Sequence, residues 1–326
     1  MIMDKEINFI ENNVSQHSSE IKTNYEIALV IVTYNRKDLL LRCIQAVLAQ
    51  SLKPKYVLIT DNASTDGTQL VLKENGVYNT VLSDIQFSYT NTIHNCGGAG
   101  GFYYGMKYAY ENWNVDGLWV MDDDGLPDSR CLEYLCNQLS QFDYVAPIVL
   151  SDEDHRTCSF TNDHESLEAF SEANCDKNGL IKNWASPFNG VLYSKKLIKA
   201  IGFPHKGMYS WGVEYEFHMR AIKAGFVPYT FIKAIHYHPI DRVKYEMHLG
   251  RMISVSDVDW KLYCCIRNYT FIIFNYSSKF PLSFYKCVRM YFSYLGYSRF
   301  RKFKLITDAF ICGLIGNFNR LIIYMK

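Results

Sequence analysis

The stretch Leu118-Trp119-Val120-Met121-Asp122-Asp123-Asp124 decides the fold, because an apolar run leads directly into three consecutive acids. Together with Gly117, the apolar residues have the length and composition of a strand that is buried on both faces, as in a parallel sheet. In such sheets, ligands bind beyond the carboxyl ends of the strands. The sequence therefore predicts that the acidic triplet lies at the ligand-binding edge of an α/β sheet.

The segment before this stretch alternates predicted strands and helices. Ile27 to Thr33 and Tyr56 to Thr60 are apolar and rich in β-branched residues, and a helical pattern of apolar residues follows each of them. This order is typical of right-handed parallel α/β units. The polar loops Thr33 to Arg36 and Asp61 to Asp66, which end these strands, are therefore expected at the same edge as the acids.

The acidic triplet is a candidate metal site. Three adjacent carboxylates repel one another, and a divalent cation would relieve that repulsion. Carboxylate oxygens suit Mg²⁺ or Mn²⁺, which commonly bind through one or two carboxylates together with substrate phosphates. Because alternate residues of an extended segment point the same way, Asp122 and Asp124 are predicted to share the cation while Asp123 faces elsewhere. The alternative is a solvated acidic turn, which the position after a buried strand disfavours.

A glycine-rich segment, Asn95 to Phe102, opens the helix that precedes the acidic stretch. It lacks the Lys-Ser or Lys-Thr of a Walker motif and the spacing of a dinucleotide-binding motif, which disfavours ATP and nicotinamide sites. Glycines at a helix start let backbone N–H groups approach a ligand closely. A tight loop chosen for steric reasons is the alternative, and this motif alone does not separate the two.

The block Tyr209 to Phe217 precedes a predicted helix that ends at Gly225. Glu214 lies in the first turn, where the helix dipole stabilises an ionised carboxylate. Burial and neighbouring acids could return its pKa to the range of a general base. Trp211, beside it, could stack on a sugar ring. The alternative is that Glu214 only caps the helix.

A short apolar strand, Phe231 to Ile235, ends in His236-Tyr237-His238. Two histidines on one strand face the same side and could serve a metal ion. A pair of this kind is more often structural. With three carboxylates in need of a cation, at least one of the two is a candidate ligand.

The composition is that of a globular protein, with 48% hydrophobic and 21% charged residues in a chain of 326. The ten cysteines include no CxxC pair, which indicates free thiols in a reducing compartment. Residues 1–24 are polar and carry acids where a secretory signal needs a basic and then an apolar run. We therefore expect residues 1–24 to be a loosely held lead-in of a cytoplasmic protein.

Residues 258–326 differ in charge from the rest of the chain. Between Lys261 and Lys326 there are eleven Lys or Arg residues and one acid, Asp308, with many aromatic residues among them. No stretch reaches the roughly 18 uninterrupted apolar residues of a spanning helix. We expect a helical region that rests on an anionic membrane surface, at the inner face of the cell membrane. The alternative is that its aromatic residues pack on the preceding domain or on a second subunit of a homo-oligomer.

Taken together, these elements resemble the family 2 glycosyltransferases, which have the GT-A fold, over roughly Ile27 to Pro239. The loops after the first two strands are similar to that family's nucleotide-binding elements. The resemblance implies that Thr33 and Arg36 contact the nucleotide diphosphate and that Asp61 contacts the uracil or ribose. It also implies nucleotide-sugar contacts for Gly98, Gly100, Gly101, Asp123 and Trp211.

The acidic triplet matches the family's DxD motif, which implies Mn²⁺ or Mg²⁺ as cofactor. The block Trp211 to Phe217 is similar to the family's acceptor-base motif, which usually has paired Asp residues. Here Val213 replaces the first acid, so the base role falls on Glu214. Counting along the family pattern places His238, rather than His236, at the metal-ligand position.

Within the family, Asn95 to Phe102 is similar to the glycine-rich element of galactofuranosyltransferases, which use UDP-galactofuranose. Rhamnosyltransferases that use dTDP-rhamnose share the DxD motif and the Trp-Gly block, and they are the alternative. The resemblance implies a GT-A catalytic domain over residues 25–257. It would transfer a sugar, with inversion, to a lipid-diphosphate-linked glycan in the synthesis of a bacterial cell-surface polysaccharide such as capsule or O-antigen.

Two functions of other classes stay open. A nucleic-acid-binding module could use the basic aromatic region for stacking and phosphate contact, although an acidic cluster at the sheet edge would repel phosphates. The second is a non-catalytic carbohydrate-binding protein, because Val213 stands where the family's acceptor-base motif usually has an Asp. We expect a nucleotide-sugar donor, and no nucleic acid, as partner.

Overall fold

The computed structural model describes residues 25–161, 163–240 and 243–325, and the predicted lead-in, residues 1–24, lies outside this range. The strands are β1 (Ile27–Thr33), β2 (Tyr56–Asp61), β3 (Thr80–Leu82), β4 (Ile85–Asn91), β5 (Gly117–Asp122), β6 (Leu126–Pro127), β7 (Tyr144–Ser151), β8 (Leu180–Lys182), β9 (Val191–Ser194), β10 (Tyr229–His238), β11 (Lys244–His248) and β12 (Arg251–Val255). The helices are α1 (Lys37–Leu48), α2 (Thr68–Glu74), α3 (Gly97–Asn112), α4 (Cys131–Leu139), α5 (Leu167–Asn174), α6 (Lys195–Ile201), α7 (Val213–Lys223), α8 (Asp259–Ile272), α9 (Leu282–Tyr297) and α10 (Phe303–Ile315).

The central sheet has the strand order β3-β4-β2-β1-β5-β9-β7-β10-β6, and β8 pairs with β10. Strands β4, β2, β1 and β5 are parallel neighbours, and β7 is parallel to β10. Strand β9 runs antiparallel between β5 and β7. The expected α/β architecture is confirmed.

Helices cover both faces of this sheet, which explains why the central strands are continuous apolar runs. In β1, Leu29 and Ile31 pack with α1 and α4 on one face. Ala28 and Val30 pack with α3 on the other face. No position of β1 is left for a solvent-facing side chain, and all seven of its residues are buried.

Helix α3 lies close against the sheet because glycines face it. A Cβ atom on Gly101 would lie 2.4 Å from Val32 Cγ1, and one on Gly105 would lie 2.5 Å from Thr60 Oγ1. Any larger residue at these positions would push the helix away from the strands.

Residues 151–183 are charged and poor in periodicity, so the sequence predicts a surface insertion or acceptor-side loop, but the structure has a helix and a strand there. Helix α5 begins after Ser166, whose side chain accepts a hydrogen bond from the Ala169 N–H at 3.2 Å. Strand β8 pairs with β10. Phe170 and Ile181 pack with β7 in a small separate core. The helix has eight residues, which is too short for a clear sequence periodicity.

The predicted helical C-terminal region is present as α8, α9 and α10, and a β-hairpin, β11–β12, precedes it. Ile253 of the hairpin packs with residues of these helices, including Leu262 and Ile306, in a third core. The ten cysteines are all free, as expected. Across the part of the chain that the structure describes, no helix combines the length and apolar character needed to cross a bilayer.

Candidate active site

Parallel pairing brings the carboxyl ends of three strands to one edge of the sheet. Thr33 of β1 lies opposite Asp61 of β2, and Val32 lies opposite Asp122 of β5. The loops and the triplet therefore meet where the sequence predicted. The side chains that gather there are called the acidic edge below: Thr33, Arg36, Asp122, Asp123, Asp124 and His238.

Arg36 bridges two carboxylates of the acidic edge. Its Nη1 lies 3.3 Å from Asp123 Oδ1 and 2.9 Å from Asp124 Oδ2. Thr33 Oγ1 donates to the other Asp123 oxygen at 2.7 Å. Asp123 thus shares Arg36 with Asp124, and its other oxygen is bonded to Thr33; that Asp122 and Asp124 share a cation stays a prediction. Strand β5 ends at Asp122, and the next two acids lie in a turn, where strand alternation no longer applies.

Burial disfavours the ionised forms of Asp122 and Asp123. It raises the pKa of Asp123 to about 6, against the opposing effects of the Thr33 hydrogen bond and the Arg36 charge. Burial also raises the pKa of Asp122 well above its ordinary value, and the negative charges of Asp124 and Asp123 add to that rise. A cation placed between such groups would stabilise their ionised forms.

His238 reaches the acidic edge because β6 folds back antiparallel along the end of β10, pairing Leu126 with Tyr237. His238 Nε2 lies 3.2 Å from Asp124 Oδ1. Burial opposes ionisation of both groups, but their contact raises the pKa of His238 and lowers the pKa of Asp124. The turn between β5 and β6 needs a glycine, since a Cβ on Gly125 would lie 2.4 Å from a ring nitrogen of His236.

His236, the other candidate histidine, is fully buried. A Cβ on Gly190 would lie 2.7 Å from its Nδ1, so the ring is enclosed between backbone segments. Burial lowers the pKa of His236 to about 3, which keeps the ring neutral. Of the two histidines, His238 is therefore the one that contacts an acid of the predicted metal site.

Glu214 lies in the first turn of α7, which begins after Gly212 in a left-handed conformation (φ 88°). The Gly212 N–H donates to Glu214 Oε1 at 3.2 Å. The charge of Glu214 is among those that raise the pKa of Asp122, after burial and the other two acids of the triplet. The negative charge of Glu214 is thus near enough to Asp122 to disfavour ionisation of that one acid.

Glu216, the second acid of α7, has a structural role. It forms an ion pair with Arg220 at 2.9 Å and accepts a hydrogen bond from Tyr276 Oη at 2.8 Å. Arg220 also donates to the carbonyl of Phe203 at 2.9 Å. Of the two acids in the block, Glu214 therefore stays the candidate general base.

The donor set suits a cation that binds together with phosphate oxygens. Asp124 and His238 form a close pair, and the pKa of Asp122 responds to both of their charges as well as to burial. Among the described residues, no three or more His, Cys, Asp or Glu side chains already surround a metal position. Mg²⁺ and Mn²⁺ commonly take only one or two carboxylates and complete their coordination with substrate phosphates.

Asp61 lies at the predicted edge but is buried. One of its carboxylate oxygens accepts the Ser64 N–H at 2.8 Å, and the other accepts the Tyr89 hydroxyl at 2.7 Å. A nucleotide contact by Asp61 stays a prediction, and it would require Asp61 to share or exchange these partners.

The glycine-rich segment divides into two kinds of position. Gly100 and Gly101 face Cys96 and Val32, where an added Cβ would meet side-chain atoms at 2.4 Å. Among the described residues, and apart from its chain neighbours and its own helix backbone, no atom lies within 4 Å of a Cβ built at Gly98. The steric alternative therefore accounts for Gly100 and Gly101, and Gly98 is the glycine with free space for a ligand.

Sequence reasoning missed a polar pair on α8 that holds the loop before α7. Asn268 Nδ2 donates to the carbonyl oxygens of Met208 (3.0 Å), Ser210 (2.7 Å) and Trp211 (2.7 Å). Arg267 Nη2 donates to the carbonyl of Met208 at 2.8 Å. We call Arg267 and Asn268 the loop clamp.

Arg267 also donates to the carbonyls of Gly207 and Phe318, both at 3.3 Å, and stacks on the Phe318 ring. Both members of the clamp are completely buried. The sequence contains one sign of this clamp: Arg267 and Asn268 interrupt an apolar helical run. Polar groups buried in this way need hydrogen-bond partners, which indicates a contact with another segment.

The clamped loop has an unusual backbone. Tyr209 (φ 66°) and Trp211 (φ 57°) both have positive φ angles, which cost non-glycine residues on the order of 1 kcal/mol or more. The Tyr209 carbonyl accepts the Ala99 N–H of α3 at 3.1 Å. Trp211, predicted to stack on a sugar, packs partly against the C-terminal core. The loop is thus held between the glycine-rich helix and α8.

Comparison with known proteins adds family information. The family model described as glycosyl transferase family 2 matches residues 28–202, which is more than half of the 326 residues. Galactofuranosyltransferase GlfT1 of Mycobacterium tuberculosis is 30% identical over 256 residues, covering 75% of this chain and 81% of that protein. GlfT1 of Mycolicibacterium smegmatis is 27% identical over 258 residues, covering 76% and 82%.

Solved structures show the same fold at low identity. S. aureus TarS 1–349 in complex with UDP-GlcNAc has a TM-score of 0.51 and 14% identity, covering 91% of this chain and 83% of that chain. The UDP complex of the same protein has a TM-score of 0.50.

Proposed function

We propose, from the premise that this chain belongs to glycosyltransferase family 2, that it transfers galactofuranose from UDP-galactofuranose to a lipid-linked glycan. The family and the GT-A fold make it a sugar transferase. The choice of galactofuranose is supported by the similarity to two galactofuranosyltransferases over three quarters of the chain. The complex of TarS with UDP-GlcNAc supports a nucleotide-sugar donor.

The proposed reaction is a single in-line displacement that inverts the anomeric carbon. An acceptor hydroxyl oxygen forms a bond to that carbon, the bond from the carbon to the diphosphate breaks, and UDP leaves with the bonding electrons. Glu214 takes the proton of the acceptor hydroxyl. The observation that carries this proposal is that the acidic triplet, Arg36 and His238, from distant parts of the chain, meet at one edge of the sheet.

The diphosphate would lie along the acidic edge. Asp122, Asp124 and His238 would hold Mn²⁺ or Mg²⁺, and Thr33 and Arg36 would orient the phosphates. When bound, such a cation stabilises the charge that develops on the leaving diphosphate. Because Arg36 lies on Asp124 at 2.9 Å, it would move from the carboxylate to the phosphates as the donor binds.

The basic aromatic C-terminal region supports a site of action at an anionic membrane surface. A cell-surface polysaccharide acceptor carried on a lipid diphosphate would be presented there. The proposed assignment places residues 25–257 as the catalytic domain and 258–326 as the membrane-associating region.

A donor panel tests the proposed function. The protein would be incubated with Mn²⁺ and with UDP-galactofuranose, UDP-galactopyranose, UDP-GlcNAc or dTDP-rhamnose, and release of the nucleotide diphosphate would be measured. We expect UDP-galactofuranose to give the fastest release. Faster release from dTDP-rhamnose would favour the rhamnosyltransferase alternative, and no release from any donor would favour a non-catalytic protein.

A further inference from the structure

Exposed apolar side chains are concentrated in the last quarter of the chain. Of the 25 large apolar residues that are exposed among the described residues, 17 lie between Tyr245 and Met325 and 8 lie before them. Large exposed apolar surfaces on a folded protein mark interaction sites.

One part of this surface is the β11–β12 hairpin. Met247 and Met252 lie directly opposite each other in the antiparallel pairing, so their side chains share one face, and Tyr245 shares it too. Met247 is 60% exposed, and Leu249 in the turn is 68% exposed. The opposite face carries Ile253, which is buried in the C-terminal core. Toward its turn the hairpin therefore presents Tyr245, Met247 and Met252 outward, whereas Ser254, further along the same face, is buried against Cys265 of α8.

Helix α9 continues the same surface. Its exposed stripe repeats at intervals of three, four and three positions: Leu282, Tyr285, Arg289 and Phe292. Arg289 Nη2 donates to the carbonyl of Gly250, in the hairpin turn, at 3.3 Å. Arg251 Nη1 donates to the carbonyl of Lys286 at 3.2 Å. These two bonds join the hairpin turn to the helix.

The charges of this surface are positive. Helix α9 contains Lys286 and Arg289 and no acid. The hairpin acid Glu246 is paired with Lys244 at 2.9 Å and with His248 at 3.1 Å. Two copies of the chain meeting through this surface would bring like charges together, which is unfavourable. An anionic lipid surface, in contrast, attracts each nearby Lys or Arg by about 1 kcal/mol.

We propose that this docking face inserts into the headgroup region of a bilayer that contains anionic phospholipid. It consists of Tyr245, Met247, Leu249, Met252, Leu282, Tyr285, Arg289 and Phe292. The proposal deepens, and rests on, the proposed action on a lipid-linked acceptor. It assigns membrane contact to a hairpin that precedes the basic aromatic region and to one stripe of α9, rather than to that region as a whole.

Vesicle partitioning tests the docking face. Wild type, the double variant Met247→Glu/Leu249→Glu, and the single variant Phe292→Glu would be sedimented with phosphatidylcholine vesicles with and without phosphatidylglycerol. The matched control is Leu70→Glu/Val81→Glu, which places the same charges at positions that are 59% and 70% exposed in the sheet domain. We expect wild type and the control to bind anionic vesicles, and the two docking-face variants to bind at least about tenfold more weakly, because a buried charge opposes insertion.

Two results would overturn the proposal. One is that both docking-face variants bind anionic vesicles as well as wild type does. The other is that light scattering shows a wild-type dimer that the double variant converts to monomers, which would assign the face to a second copy. Release of UDP from the soluble donor is measured in parallel and should not change in any variant, so a failure of the enzymatic proposal is separable from a failure of this one.

Discussion

Two arginines near the candidate active site have opposite environments. Arg36 is half exposed, and its guanidinium contacts the carboxylates of Asp123 and Asp124. Arg267 is completely buried, and its hydrogen bonds go to neutral groups, including the carbonyls of Met208 and Gly207. Arg36 contacts carboxylates that the proposed cation would bind. Arg267 instead fixes the backbone of the loop before α7.

The difference suggests that side chains of the acidic edge can rearrange while the loop before α7 stays in place. Arg36 reaches its partners from the solvent side, with 51% of its side chain exposed against 3% for Asp123, so the guanidinium can exchange these carboxylates for phosphates at small cost. A buried cation is expensive to leave unpaired, so Arg267 stays with its carbonyl partners. We infer that donor binding rearranges the acidic edge while the loop before Glu214 stays in place.

The largest expected effect is that of replacing the proposed general base, Glu214. It follows the loop that Arg267 and Asn268 hold in place. Replacing Glu214→Gln should lower turnover by roughly 10²- to 10⁴-fold while UDP binding is retained, because the amide keeps the size of the side chain but accepts no proton. Turnover and calorimetric UDP binding would be measured together, with the exposed Glu172→Gln as control. Near-normal turnover of the Glu214 variant would remove it from the base role.

The second effect is on stability and tests whether the clamp is fixed. Arg267→Met removes the guanidinium donor from the carbonyls of Gly207 and Phe318, and one of several donors from the carbonyl of Met208, so we expect the free energy of unfolding to fall by about 2–4 kcal/mol. Urea unfolding measures this, and Arg42→Met, at an exposed position of α1, should change it by less than about 0.5 kcal/mol. Equal stability of the two variants would contradict a structural role for Arg267.

The smallest effect tests the mobile arginine. Arg36→Gln should change the free energy of unfolding by less than about 1 kcal/mol. It should weaken UDP binding about tenfold, or 1.4 kcal/mol, through loss of a phosphate contact. Binding of Mn²⁺ alone should not weaken, because the guanidinium no longer competes for Asp124. The control is Arg130→Gln, which removes an equally exposed arginine from an ion pair with the more exposed Glu133. Unchanged UDP affinity in the Arg36 variant would show that the residue does not exchange partners.

The strands of the site could be predicted because a strand buried on both faces is a continuous run of apolar residues. Ile27–Thr33 and the run before Asp122 have no polar interruptions, and topology alone then places their following residues at one edge. The choice of His238 over His236 comes from the family pattern, and the pairing of β6 with β10 brings His238 to Asp124.

What could not be predicted depends on contacts between distant segments. Arg267 and Asn268 look like an interruption of an apolar helix until the loop about 60 residues earlier supplies their acceptors. The contact of Arg36 with both Asp123 and Asp124 depends on a turn that begins where strand alternation stops. Short elements such as α5 carry too few residues for a periodic signal.

Binding of Mn²⁺ in the presence of UDP tests the central claim most directly. Electron paramagnetic resonance of free Mn²⁺ would be used to titrate wild type and Asp124→Asn, each with saturating UDP. The account predicts one bound Mn²⁺ in wild type and affinity at least about tenfold weaker in the variant, since a carboxylate ligand becomes a neutral amide. Equal Mn²⁺ affinity in the two proteins would contradict a cation held at the acidic edge.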